Sequence, residues 1–165
     1  MVFEISKVLF EKNEKLSYTD FSPYSKHVIS VDVIDRYVND HGCLRTTRLI
    51  LKRGKLPKWG AKLFKISETY ILEDSIVDLQ TNQMHTFIRN LDHTKVMKVI
   101  ENQIYGISSK NSNQTFVNIT ARIKSSFGWG ITNKIEKFGI VKFSKNVINV
   151  FQRIYFSMLI SLESS

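Results

Sequence analysis

From Lys52 to Lys65 the chain sets Lys52, Arg53, Lys55, Lys58, Lys62 and Lys65 in one run without an acidic residue, and places Leu56, Trp59, Leu63 and Phe64 among them. Cations at that density hold anions. A loop made only for water has no use for those hydrophobes, so the pairing fits a surface that meets an anionic interface and apolar material together. On composition alone, the run also reads as a solvated or nucleic-acid-facing loop. Elsewhere Asp92-His93, His85 and Glu73 supply acids and bases. No Ser or Cys stands in a nucleophile elbow, however, and no His pair has helical metal spacing. We therefore expect neither catalysis nor a metal or organic cofactor.

The elements that must position this run have a clear period. In His27 to Ile34 and in Phe116 to Ser125 apolar residues alternate with polar ones, as in half-buried strands. Leu44 to Lys52, Thr69 to Asp78, Met84 to Leu91 and Val96 to Ile107 predict further strands, and Met1 to Phe10 another. Asn39-Asp-His-Gly42, Gln80-Thr-Asn82 and Lys110-Asn-Ser-Asn113 carry turn residues. Such short links imply an antiparallel meander. From about Thr132 to Leu162 the period changes: Ile140, Phe143, Val147, Phe151, Ile154, Met158 and Leu162 recur every three or four residues. That predicts one amphipathic helix, roughly 45 Å long at about 1.5 Å per residue. Gly139 within it allows a kink or close packing. A sheet that buries one face against a single long helix is an α+β arrangement. The space between them is either packed solid or a ligand cavity, and the pattern leaves both open.

The 165 residues predict a single domain over 1–165, with no Pro-rich linker or repeat to divide it. Lys plus Arg at 24 against Asp plus Glu at 15 gives +9, which favours nucleic acid, lipid headgroups or an acidic protein as partner. Cys43 is the only cysteine, so neither an internal disulfide nor a thiolate metal cluster can form. The N-terminus has no apolar signal core, and Glu4, Glu11 and Glu14 argue against an acid-poor matrix presequence. Val147 to Leu162 is the most apolar stretch, but Asn149, Gln152 and Arg153 interrupt it, and it reads as a soluble helix.

Arg45-Thr-Thr-Arg-Leu-Ile-Leu-Lys-Arg-Gly-Lys-Leu-Pro-Lys-Trp59, Leu72-Glu-Asp-Ser-Ile-Val-Asp78 and Arg89-Asn-Leu-Asp-His-Thr-Lys-Val-Met-Lys-Val99 resemble the PRELI family of mitochondrial lipid-transfer proteins. Pro23-Tyr-Ser-Lys-His-Val28 and Lys142-Phe-Ser-Lys-Asn-Val147 fit the same register, and the branch that carries phosphatidic acid is the more similar. The resemblance implies a curved seven-stranded antiparallel sheet with a long C-terminal helix, enclosing a lipid under a mobile Ω-loop lid. It implies a phospholipid as cargo rather than a cofactor, and peripheral contact with anionic membranes of the mitochondrial intermembrane space. It also implies a small cysteine-rich helical-hairpin partner and a place in cardiolipin metabolism. No nucleic acid is expected.

By the same resemblance, His27, Lys52, Lys142 and Asn146 match the headgroup contacts, Lys52 foremost, with Arg48 and Lys55 secondary. Leu56, Pro57, Lys58, Trp59, Lys62, Leu63 and Phe64 match the lid and its membrane contact. Each residue has a plainer reading beside this one: Lys142 as a snorkelling surface lysine, His27 as a structural residue at a strand start, Trp59 as core. The chain departs from the family at Thr19-Asp-Phe-Ser22 and at Ile148-Asn149, where the pattern carries cations, and at Phe138, where one branch carries Trp. Weaker discrimination between phosphatidic acid and phosphatidylserine is the expected consequence. Two other readings remain: a carrier of phosphatidylserine, and a basic sheet that stacks RNA bases. Against RNA, the polar face of Phe116 to Ser125 offers Asn, Thr, Arg and Lys but no aromatic pair.

Overall fold

The computed structural model describes residues 1–11, 27–54, 56–112, 114–128 and 130–163, with side chains placed through Ile5 in the first strand and through Val147 in the last helix. The strands are β1 (Val2–Glu11), β2 (Val28–Val38), β3 (Leu44–Arg53), β4 (Glu68–Asp78), β5 (Gln83–Asn90), β6 (Lys98–Ile107) and β7 (Gln114–Lys124). A short helix α1 (Lys58–Leu63) lies between β3 and β4, and α2 (Thr132–Glu163) ends the fold. One antiparallel seven-stranded sheet results, in the order β1-β7-β6-β5-β4-β3-β2. The alternating segments became strands and the 3.6-period segment became the helix, so this is the expected α+β fold. β2 to β7 form the meander, while β1 takes the far edge beside β7.

The expected turns close the hairpins through their own side chains. Asn39 Oδ1 accepts from the backbone N–H groups of His41 and Cys43 at 3.1 and 2.9 Å, and Gly42 supplies the φ of +74° that an L side chain resists. Asp78 does the same between β4 and β5, accepting from the N–H of Gln80 at 2.8 Å and of Thr81 at 3.3 Å. The loop from β5 to β6 is clasped by Asn90, whose amide donates to the carbonyls of Asp92 and Met97 and accepts from the Val99 N–H at 2.8 Å.

The register divides the helix-facing side of the sheet in two. On β7 that side is Val117, Ile119, Ala121 and Ile123, all at most 5 % exposed, with Phe3 and Ile5 paired beside them on β1. α2 lies across these two strands. Val147 and Phe143 pack with Val117, Ile119, Ile5 and Tyr105, and Phe143 meets Phe3 edge-on at 5.4 Å. Gly139 resolves the choice between kink and close packing: a Cβ there would lie 2.8 Å from Met97 Sδ and 2.9 Å from Ile123 Cγ2. The start of α2 is pinned by Glu136, which accepts from the Ser125 N–H at 3.0 Å and from the N-terminal amine at 3.2 Å.

Farther across the sheet, the same side turns polar. Ile119 continues along its row into Gln103, Thr86, Ser75 and Thr46, and Ala121 continues into Glu101, Ile88, Glu73 and Arg48. Thr46, Arg48, Glu73, Ser75 and Thr86 are all buried. A face that is apolar where the helix covers it and polar where it does not has its core at one end and room for polar chemistry at the other. The boundary runs along β6.

Candidate functional site

The basic-apolar run sits at the mouth of this face. Pro57 caps α1 with φ −63° and ψ 157°, and Ala61 N–H donates to the Pro57 carbonyl at 2.8 Å. Where a loop was expected, a helical turn forms, because Pro57 is pre-set for a helix start and Lys58, Ala61, Lys62 and Leu63 are good helix formers. It ends at Phe64, which is extended. The turn aims its rings inward. Trp59 stands edge-on to Phe138 at 6.2 Å, and Phe64, 8 % exposed, stands edge-on to Phe127 at 4.6 Å. Lys58, Lys62, Leu63 and Lys65 remain exposed. Between this lid and the residues beneath it, Val96, Met97, Ile135 and Phe138, a cavity of about 30 Å³ is left. That is far too little for an acyl chain, so the turn packs closely on the residues beneath it.

The seat is a stripe along α2. Lys134, Phe138 and Lys142 follow at four-residue spacing on one face of the helix. Lys134 Nζ lies 4.9 Å over the Trp59 ring and Lys142 Nζ lies 5.7 Å over Phe138. Lys142 is half-buried, and loss of hydration holds its ammonium below the usual lysine range. On the sheet, Arg48 Nη1 donates to Glu73 Oε1 at 2.8 Å and to Ser75 Oγ at 3.4 Å. Along β6, the Tyr105 hydroxyl donates to Gln103 Oε1 at 2.5 Å, and Gln103 Nε2 donates to Glu101 Oε1 at 2.5 Å. Burial pushes the Glu101 carboxyl up, against the pull of Gln103 and the Lys52 charge, while Glu73 adds to the rise. Tyr105 is pushed up as well, first by burial and then by the two glutamates. Thr86 Oγ1 is buried here without a hydrogen-bond partner among the described residues.

A wider concavity of about 460 Å³ opens on the opposite face, among Asp35, Tyr37, Arg45, Asp74, His85 and Phe87. None of the candidate headgroup residues lines it. We place the site on the helix-facing side, where the buried charges are.

A seven-stranded antiparallel sheet packed against one long C-terminal helix is the fold that the sequence resemblance implies. The PRELI-like family model matches residues 17–164. The chain belongs to this family. It is 40 % identical over 153 residues to Protein UPS1, mitochondrial, of Saccharomyces cerevisiae, covering 85 % of this chain and 87 % of that protein. It is 37 % identical over 126 residues to the Protein ups1 homolog of Schizosaccharomyces pombe, covering 76 % and 74 %. Against PRELI domain-containing protein 1, mitochondrial, of Bos taurus, it is 38 % identical over 129 residues, 76 % of this chain and 58 % of that protein.

On this PRELI-like fold, the residues expected at the headgroup separate. Arg48 and Lys52 stand on β3 on the helix-facing side, Arg48 buried and Lys52 half-buried. Lys142 lies on α2, half-buried, with its ammonium over the Phe138 ring. Asn146 and His27 are exposed, and the His27 carbonyl accepts from the Arg53 N–H at 2.7 Å, a structural bond. Lys55, Thr19 and Pro23 lie outside the described residues, as does the side chain of Asn149. In the lid, Leu56, Pro57 and Trp59 are half-buried. Sequence reasoning passed over Glu101, Gln103 and Tyr105, and over Phe127 and Lys134 as seats for the lid. The signal was present: Glu101, Gln103 and Tyr105 alternate, and this puts them on the same face as the buried residues of β7.

Proposed function

We propose that this chain carries a phospholipid, phosphatidic acid before others, between mitochondrial membranes. The observation that carries this reading is the basic turn Lys58–Leu63 seated through Trp59 on Phe138, one helical turn from a desolvated Lys142, on a sheet whose helix-facing side buries Arg48. Membership of the PRELI-like family and the mitochondrial names of two relatives support it. No helix among the described residues is long and apolar enough to cross a membrane, which fits a peripheral visitor.

The physics sets what each part does. Carrying acyl chains through water exposes them at about 0.8 kcal/mol per CH₂, so a carrier must shelter them. The headgroup phosphate must find donors, because a buried anion without them is very costly. Lys52 and Lys142 reach it from opposite walls, and Arg48 holds the polar wall in shape through Glu73. In this reading, loading lifts α1 away from α2, breaking the seat of Trp59 on Phe138. Exposed Lys58, Lys62 and Lys65 bring the lid to an anionic surface at roughly 1 kcal/mol per cation, where Trp59 and Phe64 exchange their aromatic seats for acyl chains. The helical-hairpin partner expected of the family finds exposed apolar surface at Tyr37 and Phe87 in the outer concavity. Glutamate at both positions is expected to abolish its co-purification, and retained partner would move it elsewhere.

Native mass spectrometry of the purified protein, with a liposome transfer assay, tests the whole reading. One bound phospholipid per chain and transfer between vesicles are expected. Deleting residues 56–64 is expected to abolish transfer while circular dichroism retains the sheet and helix. Transfer at the parent rate after that deletion, or a parent that releases no lipid to acceptor vesicles, overturns the proposal.

A further inference from the structure

The side of the sheet offered to an anion buries two carboxylates of its own, and they are not equivalent. Glu73 is answered by the Arg48 guanidinium at 2.8 Å. Among the described residues, the hydrogen bond to Glu101 comes from an amide, that of Gln103, itself oriented by Tyr105. A neutral donor steadies a carboxylate without cancelling its charge.

Around Glu101, β3 contributes Arg48 and Lys52, β4 contributes Glu73, and β6 itself contributes Tyr105. The residues directly opposite on β5 and β7 are Ile88 and Ala121, which carry no charge. On the sheet wall, Arg36, whose Nε donates to Thr46 Oγ1 at 3.3 Å on the same side, joins Arg48 and Lys52 against Glu73 and Glu101, so that half of the face carries one net positive charge when empty. A phosphate monoester in its dianionic form adds two negative charges, one more than that wall can balance. With Glu73 tied to Arg48, the group that can answer is Glu101.

We propose that Glu101 sets the headgroup charge this pocket accepts, by taking a proton from solvent onto its carboxylate when an anionic phosphate ester enters beside Lys52. The phosphate oxygens keep their bonds, the proton becomes the Glu101 O–H, and no other bond changes. Glu101 thus acts as a specificity-determining residue: it opposes a dianionic headgroup when ionised and accepts it when neutral. The direction in which burial already moves its carboxyl agrees. This inference rests on the lipid-carrier reading and refines it.

The test is calorimetric binding of dioctanoyl phosphatidic acid to the full chain and to Glu101→Gln between about pH 5 and about pH 8. The variant is expected to bind roughly tenfold more tightly at the upper end, where the parent carboxylate repels the phosphate, and equally at the lower end. The lipid's own titration is common to both proteins and drops out of the ratio. Dioctanoyl phosphatidylcholine, with no net charge, is expected to give a ratio near one throughout. A ratio for phosphatidic acid that stays constant across the range overturns the proposal. Carbon NMR of the parent with labelled glutamate carboxyls tests it without any substitution: one carboxyl is expected to titrate at higher pH when loaded, and no movement overturns it. A parent that binds no phosphatidic acid removes the carrier reading, and this proposal with it.

Discussion

The indole of Trp59 and the ring of Phe138 meet edge-on, with centroids 6.2 Å apart and planes at 83°, and together with Lys134 over the same indole this contact joins the lid to the long helix. An edge-to-face pair contributes about 1 kcal/mol beyond its buried area. Phe138→Ala is expected to loosen the lid without unfolding the sheet, because Phe138 lies outside the cluster of Val117, Ile119 and Val147. In a Trp129→Phe background, emission from Trp59 should shift to the red and become easier to quench. Unchanged quenching means the lid is held by Phe64 on Phe127 and by Lys134 over the indole.

Trp59→Ala separates the two jobs of the lid. The exposed lysines are untouched, so binding to anionic vesicles should persist while lipid extraction slows. Lys58→Glu with Lys62→Glu should do the reverse, weakening vesicle binding by several-fold at low salt and less at high salt, as screening removes the attraction. Flotation with vesicles across a salt series reads both. Equal loss in both variants means that docking and opening are one step.

Lys52→Glu is expected to leave the fold intact, since the side chain is only half-buried, and to lower phosphatidic acid transfer by at least roughly tenfold. It replaces a counter-charge by a repulsive group beside Glu101. Transfer at the parent rate removes Lys52 from the headgroup site.

How much of this was written in the chain depends on the length of the pattern. β7 and α2 were legible because each carries a long pattern, eleven residues of strand and thirty-two of helix, and the described part of α2 buries Ile135, Gly139 and Val147 on one face. The turn at Asn39 was legible because that side chain makes the turn itself, whereas Asp78, read as the end of a strand, closes the next one. α1 was not: six residues that include Gly60 carry too little period to outweigh the look of a loop. Arg48 was noticed as a cation, but its partner lies 25 positions away, and only the antiparallel register places Glu73 opposite it. The polar row at Glu101, Gln103 and Tyr105 was hidden for the same reason. It lies at the seam between core and site, which strand pairing creates and no single segment displays.

The Arg48–Glu73 pair gives a direct check on that seam. Glu73→Leu alone should destabilise by about 3 kcal/mol, because it strands a buried guanidinium. Arg48→Met with Glu73→Leu should regain most of that loss and still lower lipid binding. Denaturant unfolding of the two single variants and the double variant measures the coupling. Additive losses would show the two charges to be stabilised separately.

Lys142 sets stability against function, and the sign can be worked out. Burial holds its folded-state pKa below the free value of 10.5, so the charged form is disfavoured by folding. The penalty is full below the folded pKa and fades as pH rises toward 10.5, where the unfolded lysine also loses its proton. Lys142→Met keeps the stem over Phe138 and removes the charge. At neutral pH it is expected to stabilise the fold by roughly 0.5 kcal/mol, a figure reduced for the half of the side chain that water still reaches. That is a rise of about 2 °C in thermal midpoint, and it should shrink in alkaline buffer. The same variant should bind phosphatidic acid more weakly, since one wall of the pocket has lost its cation. A variant that is less stable at neutral pH and binds lipid as before would make Lys142 a packing residue whose ammonium serves the helix rather than the cargo.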